Sequence, residues 1–384
     1  MNTAPTRIED LVCFSHVGWH SVYQRPHHLL SRFSINFRVW FVEGPTFHAM
    51  ADSVEKFEEG NIVLVRPKLV GDENRPDADF RTAEMLADFF REEEISDYMF
   101  WYYTATALRY TRDFQPQLVV YDCVNLSVSF KGTSEDLKHL EHELTQKADL
   151  VFAAGPSIYE VKKKQHHRTY LFPGSIDKKH FRQARGTVEE PADQEIIPRP
   201  RFGFFGVIDE RLDMELLENV SRLRPSWQFV MIGPVQRISR FVLPNFPNIH
   251  YLGEKQYGDL PRYLAGWDAA IIPYVHMEAT RYVSPLKTVE YLAGGKHVIA
   301  TPIIDVIRPY GNKGLVQIAG TPEEFVKVAE LILQHKEDEE WIEKVDTYLA
   351  ATSWDATYNE MLQIIRTTLV GRPIETVIHE KRPV

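Results

Sequence analysis

The sequence predicts an α/β protein of two parallel-sheet domains of similar size. Short apolar, β-branched runs alternate with amphipathic stretches along all 384 residues. Several of these runs are continuously apolar, as strands buried on both faces of a parallel sheet must be. Near the middle, residues 182–201 (RQARGTVEEPADQEIIPRPR) hold three prolines, many charges and no aromatic side chain, which is linker composition. Strand–helix–strand repetition on either side of that break gives two Rossmann-like domains facing across a cleft.

Strands are predicted at 11–15, 38–42, 62–65, 98–102, 118–121, 150–153 and 169–172 in the first half. In the second half they are predicted at 202–205, 228–232, 249–252, 269–272, 297–300 and 315–318. Helical patterns lie between them, such as 215–223 with Leu216, Leu217, Val220 and Leu223 on one face. The boundaries that follow are a first domain over 1–182, a linker over 183–200 and a second domain over 201–352. A C-terminal helix over 353–370, free to cross back to the first domain, precedes a tail over 371–384.

Composition narrows the function. Lys plus Arg is 44 and Asp plus Glu is 54, a net charge of −10. That balance argues against nucleic acid as a partner, which would call for a basic stripe. Two cysteines, Cys13 and Cys123, make neither a disulfide framework nor a four-cysteine zinc site. No apolar run approaches the roughly 20 residues that span a bilayer, and 11–17 is too short and interrupted for a signal peptide. The expected location is cytoplasmic, with peripheral contact at the inner face of the membrane left open. Lys162-Lys163-Lys164 with Arg168 is a basic patch that would suit anionic lipid, although such patches are usually solvated faces. His139-x-x-His142 and His166-His167 have metal-like spacing, but nothing completes a site.

In open parallel sheets, ligands sit outside the carboxyl ends of the strands, and two such sheets make a cleft at a domain boundary. The densest signal there is 268–301 (DAAIIPYVHMEATRYVSPLKTVEYLAGGKHVIAT), read as strand, loop, short helix, strand. Ser284 is a good N-cap and Pro285 suits the first helical position, so with Leu286 the helix is predicted over 285–293 and ended by Gly294 and Gly295. Helix starts bind anions. Lys287 in the first turn opposes the dipole, a conflict resolved if a phosphate lies between the amides and the ammonium. Glu290, on the same face, can accept two hydrogen bonds, as from a ribose diol. The plain alternative is an exposed Lys–Glu pair on a surface helix.

This segment resembles the donor site of GT-B glycosyltransferases of the family 4 type, the group 1 glycosyl transferases. Glu290 followed by Tyr291-Leu292-Ala293-Gly294-Gly295 looks like the second Glu of that family's Glu-x7-Glu element. Leu171-Phe172-Pro173-Gly174-Ser175-Ile176-Asp177, Phe205-Gly206, and Asn248-Ile249-His250-Tyr251-Leu252-Gly253 resemble further family segments. The likeness thus spans essentially the whole chain. It implies a GT-B fold and a nucleotide-sugar donor, UDP-sugar or GDP-sugar, with no other cofactor and no metal. The acceptor would be a glycan or a lipid-linked saccharide in cell-surface polysaccharide biosynthesis, with the anomeric configuration retained.

By this resemblance the donor would meet Gly206, Arg211, Gly253, Lys255, Tyr257, Glu278, Arg281, Ser284, Pro285, Leu286, Lys287 and Glu290. Arg211 and Lys287 would act on the diphosphate. Two departures stand out. Tyr282 occupies the place of the first Glu, leaving Glu278 as the nearest upstream carboxylate, and Val207 and Asp213 stand where the family often has Arg and Lys. In the first domain His16, Gly18, Trp19, Tyr23 and Arg25 crowd one loop and are the candidate acceptor contacts. Asp122 closes another strand, either as a base on the acceptor hydroxyl or as a plain cap. A nucleotide-sugar epimerase or hydrolase on the same fold, or a non-catalytic sugar-binding scaffold, are the alternatives.

Overall fold

A computed structural model describes residues 8–73, 75–126, 133–335 and 338–370, apart from the side chains of Glu278 and Ala279. The tail expected over 371–384 lies outside the described residues. The chain divides into two compact units. Among the described residues, unit 1 comprises 8–173 and 357–370, and unit 2 comprises 174–356.

Unit 1 holds an eight-stranded sheet. Its strands are β1 (Asp10–Ser15), β2 (Arg38–Glu43), β3 (Ser53–Glu59), β4 (Ile62–Lys68), β5 (Tyr98–Tyr102), β6 (Leu118–Cys123), β7 (Leu150–Ala153) and β8 (Thr169–Leu171). Their order is β3-β4-β2-β1-β5-β6-β7-β8, parallel throughout except for β3, which runs antiparallel on β4. The central strands are sealed on both faces, which is why they read as unbroken apolar runs. The strand missing from the sequence-based reading is β3. Its SVEKFEE sequence is largely exposed and needs no apolar run, because it has a single partner and its charges blunt a sheet edge. The helix Arg25–Phe33 buries Leu29, Leu30 and Phe33 completely. Tyr358, from the C-terminal helix Trp354–Val370, packs edge-on against Phe33 at 5.0 Å, and its hydroxyl accepts from Asn36. The boundary between the units therefore falls inside that last helix.

Unit 2 holds β9 (Arg201–Phe205), β10 (Gln228–Ile232), β11 (Ile249–Gly253), β12 (Ala269–Ile272), β13 (Val298–Ala300) and β14 (Gln317–Ile318). The order β11-β10-β9-β12-β13-β14 reverses between β9 and β12, and that is where a doubly wound sheet binds ligands. Asp213 caps the helix Met214–Leu223 by accepting from the Leu216 amide at 2.8 Å. Trp267 lies flat on β9, so close that a Cβ on Gly203 would sit 1.9 Å from its ring.

The stretch expected to be a linker, 183–200, is instead built into unit 2, and the break comes at Pro173–Gly174. Gln194 is fully buried, donating to the Tyr263 carbonyl at 2.9 Å and accepting from the Trp267 indole at 2.8 Å. Arg201 bonds to Glu190 and to the carbonyls of Glu195 and Ile197. Charges that resemble a solvated linker thus satisfy buried polar groups at the sheet's amino end, which composition alone does not reveal.

Gly203→Ala should lower the stability of the chain by about 1–3 kcal/mol through overpacking against Trp267. Urea unfolding followed by tryptophan fluorescence measures this, and an unchanged midpoint would show that the indole can move aside.

Candidate functional site

At the switch point of unit 2, three strands end in glycines with positive φ: Gly206 (+139°) after β9, Gly233 (+139°) after β10 and Gly253 (+71°) at the end of β11. The Gly206 amide donates to the Ile232 carbonyl at 2.9 Å, and the Gly233 amide donates to the Gly253 carbonyl at 2.8 Å. A Cβ on Gly233 would stand 1.9 Å from the Gly206 oxygen, so only glycine lets these strand ends close on one another. A Cβ on Gly206 would approach Lys287 Cε and Nζ at 3.0 and 3.2 Å. The ammonium of Lys287 therefore rests on bare backbone.

Tyr274, two residues past β12, organises the charges here. It is buried, and its hydroxyl accepts from Lys287 Nζ at 2.9 Å. The guanidinium of Arg211 lies 6.0 Å from its ring centre. Thr301 clamps the Tyr274 backbone, accepting from its amide at 3.0 Å and donating to its carbonyl at 2.6 Å. The loop that carries Arg211 is docked on the same segment, with the Val275 amide donating to the Arg211 carbonyl at 2.8 Å. Nothing in the sequence pattern marked Tyr274. Its position just past a strand at the switch point was the available signal.

Arg211 is not the free cation expected. Its Nε lies 2.9 and 3.0 Å from the two oxygens of buried Asp209, and its Nη2 lies 2.6 Å from one of them. Burial alone would lower the pKa of the guanidinium, but the bonds to Asp209 outweigh it and hold the group charged. The pair is neutral as a unit, so of the two cations expected at the diphosphate only Lys287 lacks a carboxylate bonded to it.

The helix that carries Lys287 runs Lys287–Ala293 and starts later than predicted. Leu286, not Ser284, is its N-cap, and Pro285 lies outside it. Leu286 already has helical angles and its side chain rests against Gly174. The amides of Thr288 and Val289 bond back to the carbonyls of Pro285 and Leu286 at 3.1 and 3.2 Å, a tight first turn that leaves no place for a Ser284 cap. At the other end Gly295 takes φ +72°, and the Lys296 amide donates to the Tyr291 carbonyl at 3.0 Å in a Schellman closure. Arg185 donates to the carbonyls of Ala293 (2.8 Å) and Leu292 (3.3 Å) and is held by both oxygens of Asp346 at 2.9 Å. The Tyr291 hydroxyl accepts from the Phe205 amide at 2.9 Å, tying the helix to the end of β9.

Glu290 is 7% exposed and hydrogen-bonds to no described side chain or amide. Burial pushes its pKa up to about 7, with the charge of Lys287 pulling the other way. A buried carboxylate without donors, one turn from a lysine, marks a candidate ligand site.

Other expected donor contacts are engaged elsewhere within unit 2. Tyr257 stacks on His180 at 4.4 Å and meets Phe181 edge-on, so its ring is packing and not an open platform for a base. Lys255 is paired with Asp193 at 2.6 Å and lies over Tyr263. Arg281 is exposed, 5.4 Å from the Tyr282 ring centre. Glu278 opens the short helix Glu278–Arg281, but its side chain lies outside the described residues.

In unit 1, His16 and Gly18 are exposed after β1. The Trp19 amide donates to Glu43 at 2.9 Å while its indole packs on His27 and Phe41. Tyr23 stacks on His27 at 4.7 Å and stays 39% exposed. Asp122 is corrected as a base, because it is 0% exposed. Arg25, expected at the acceptor, instead holds both Asp122 oxygens from Nε at 3.1 and 2.9 Å and donates to the Phe172 carbonyl at 2.8 Å. Burial raises the pKa of Asp122, and Arg25 opposes the rise. The pair fixes the start of the helix behind the loop.

The basic patch is taken up in part, with Lys164 and Arg168 left exposed. Lys162 is buried, bonded to Glu141 at 2.7 Å and Thr145 at 2.9 Å, while Lys163 pairs with Glu160. His166 is largely buried and accepts from the Arg168 amide at 3.2 Å. Among the described residues no group of three His, Cys, Asp or Glu side chains is placed to hold a metal ion. None of the described helices is long and apolar enough to cross a membrane.

Residues 199–335 match the family of glycosyl transferases group 1. The chain is 23% identical over 265 residues to the putative teichuronic acid biosynthesis glycosyltransferase TuaH of Bacillus subtilis, an overlap of 64% of this chain and 66% of that protein. It thus spans just under two-thirds of that relative. Sucrose-phosphate synthase from Thermosynechococcus elongatus has the same fold, with a TM-score of 0.70 at 15% identity over 94% of this chain and 100% of that one. Anabaena HepE, solved in complex with UDP and glucose, gives 0.61 at 14% identity over 92% of this chain and 98% of that one. The family match thus lies within unit 2, over residues 199–335, and the solved glycosyltransferases share the two-domain fold along nearly the whole chain.

Proposed function

We propose that the chain moves a sugar from a nucleotide-diphosphate sugar to a hydroxyl of a glycan or lipid-linked acceptor, in cell-surface polysaccharide biosynthesis on the cytoplasmic side of the membrane. The observation that carries this reading is the Lys287–Glu290 pair: an ammonium with no carboxylate bonded to it and a buried carboxylate without donors, one turn apart at the switch point of unit 2. Glu290 would take the two ribose hydroxyls as its missing donors. Lys287 would meet the diphosphate, with the neighbouring Gly206 backbone leaving room for close approach. Anabaena HepE, on the same fold, was solved in complex with UDP and glucose, which supports a uridine donor; guanosine is the other candidate.

In the proposed transfer the bond from the anomeric carbon to the phosphate oxygen breaks, and the electron pair goes to the leaving diphosphate. Lys287 stabilises that developing charge from a position already set by Tyr274, so little reorganisation is needed. Arg211, paired with Asp209, stiffens the loop beneath and contributes a dipole instead of a net charge. The burial of Asp122 fits a retaining reaction in which a donor phosphate oxygen takes the acceptor proton as the new glycosidic bond forms. Lysine and amides would serve the diphosphate without a metal ion.

Glu290→Ala and Lys287→Ala should each weaken UDP binding about 10- to 100-fold, the loss of one charge-assisted contact. Calorimetry that gives unchanged affinity in both variants would sink the site. Transfer should persist in excess chelator; its abolition, with recovery on adding a divalent cation, would refute the metal-free reading. The third expectation concerns stability. The pKa of Glu290 is raised in the folded state, from an ordinary 4.5 to about 7, so its contribution is fully present in acid and is lost as pH rises through about 7. Without nucleotide, Glu290→Gln should therefore be more stable than the parent at pH 8, by about 3 kcal/mol, and no more stable at pH 4. Urea unfolding at the two pH values reads the difference.

A further inference from the structure

Residues 233–253 contain no Asp or Glu, in a chain where such residues number 54 of 384. The loop within this stretch leaves the carboxyl end of β10 and turns at Arg240–Val242. Phe241 is 99% exposed and Val242 58% exposed, side by side at the tip. Arg237 and Arg240 precede them in the loop, both exposed, and neither forms an ion pair with any described residue.

The tip is not exposed through slackness. The Gln236 amide donates to the Ile208 carbonyl at 3.0 Å at the base of the loop. Ser239 caps the turn, its hydroxyl accepting from the Phe241 amide at 3.3 Å and its carbonyl from the Val242 amide at 3.1 Å. On the return, the Tyr251 hydroxyl donates to the Pro244 carbonyl at 3.2 Å. Ile238, Leu243 and Phe246 pack against the core of unit 2. Apolar residues of the loop thus point inward as anchors, and two are presented outward, directly after Arg240.

We propose that this loop docks unit 2 onto the surface of an anionic lipid bilayer, with Phe241 and Val242 entering the headgroup region and Arg237 and Arg240 on lipid phosphates. The chemistry favours a bilayer over a protein. Two exposed apolar side chains fall far short of the roughly 800 Å² per partner that a stable protein interface buries. An aromatic ring beside arginines is instead the pattern of a membrane-surface anchor. The net charge of −10 opposes any general attraction to anionic lipid, so binding has to be local to this acid-free patch. Asp209 on the adjoining loop is committed to Arg211, and the exposed acid nearest in sequence is Glu254, just past the end of β11. The loop springs from the same end of the sheet as Gly206 and Gly233, so a docked bilayer lies by the rim of the proposed donor site. The docking itself is independent of that site; only its use, bringing a lipid-linked acceptor near, rests on the reading above.

Flotation of the full chain with phosphatidylcholine vesicles, alone or mixed with phosphatidylglycerol, tests this. The chain should float with the mixed vesicles only, and less so as salt is raised. Arg237→Gln and Arg240→Gln should each weaken binding about fivefold, and Phe241→Ser about tenfold or more. Absence of binding to mixed vesicles, equal binding to neutral ones, or full binding by the Phe241→Ser variant overturns the proposal. UDP affinity is measured on the same samples. A chain that binds UDP but no vesicle refutes the docking and leaves the donor site standing, whereas one that binds vesicles but no UDP does the reverse. Unchanged UDP affinity in the three variants shows that they are folded.

Discussion

The proposed donor end of unit 2 depends on one contact, the ammonium of Lys287 held between the Gly206 backbone and the Tyr274 hydroxyl. Gly233 at the end of β10 lets the backbone close on Gly206 to a distance that leaves no room for a side chain, and the lysine stem lies over Gly206. Tyr274 then sets the height of the ammonium, while its ring backs Arg211. A first-turn lysine is unfavourable to its own helix. The helix tolerates it because the far end is secured by the Gly295 closure and Arg185, and its body by the bond from the Phe205 amide to the Tyr291 hydroxyl. The local cost is carried by contacts on all sides, as is common where a charge is kept ready for a ligand.

Charge in this protein is often spent inside the fold. Arg25 and Asp122 neutralise one another beneath the loop after β1, Lys162 and Glu141 do so under Tyr121, and Arg211 is matched by Asp209. Each pair is hydrogen-bonded as well as ion-paired, which is the condition under which buried charge is tolerable. Against that background Glu290 stands out, since its carboxylate is buried with no donor among the described residues.

The strands of both sheets were legible in the sequence because burial on two faces writes an apolar run of the right length: 228–232 and 269–272 coincide with β10 and β12. Edge strand β3 was invisible because an exposed strand carries no such mark. Lys287 and Glu290 were legible as a clash with the helix dipole next to a carboxylate. The fate of Arg25 was not, because its partner is 97 residues away and no periodicity connects them. Nor was that of Arg211, whose partner two residues back lies in a loop without a pattern. The misplaced linker has a similar cause: prolines and charges look the same in sequence whether solvent or a buried glutamine network receives them.

The segment after Pro173 gains a practical meaning from this. Arg185 grips the carbonyl end of the Lys287–Ala293 helix, and Lys178 donates to the carbonyls of Leu349 and Ala350 at 3.1 and 2.7 Å at the end of another. Together they form a clasp around the half of the chain that follows. A fragment cut at the conspicuous prolines near residue 200 would discard that clasp and leave two helix termini bare, whereas one beginning at Gly174 would carry it intact.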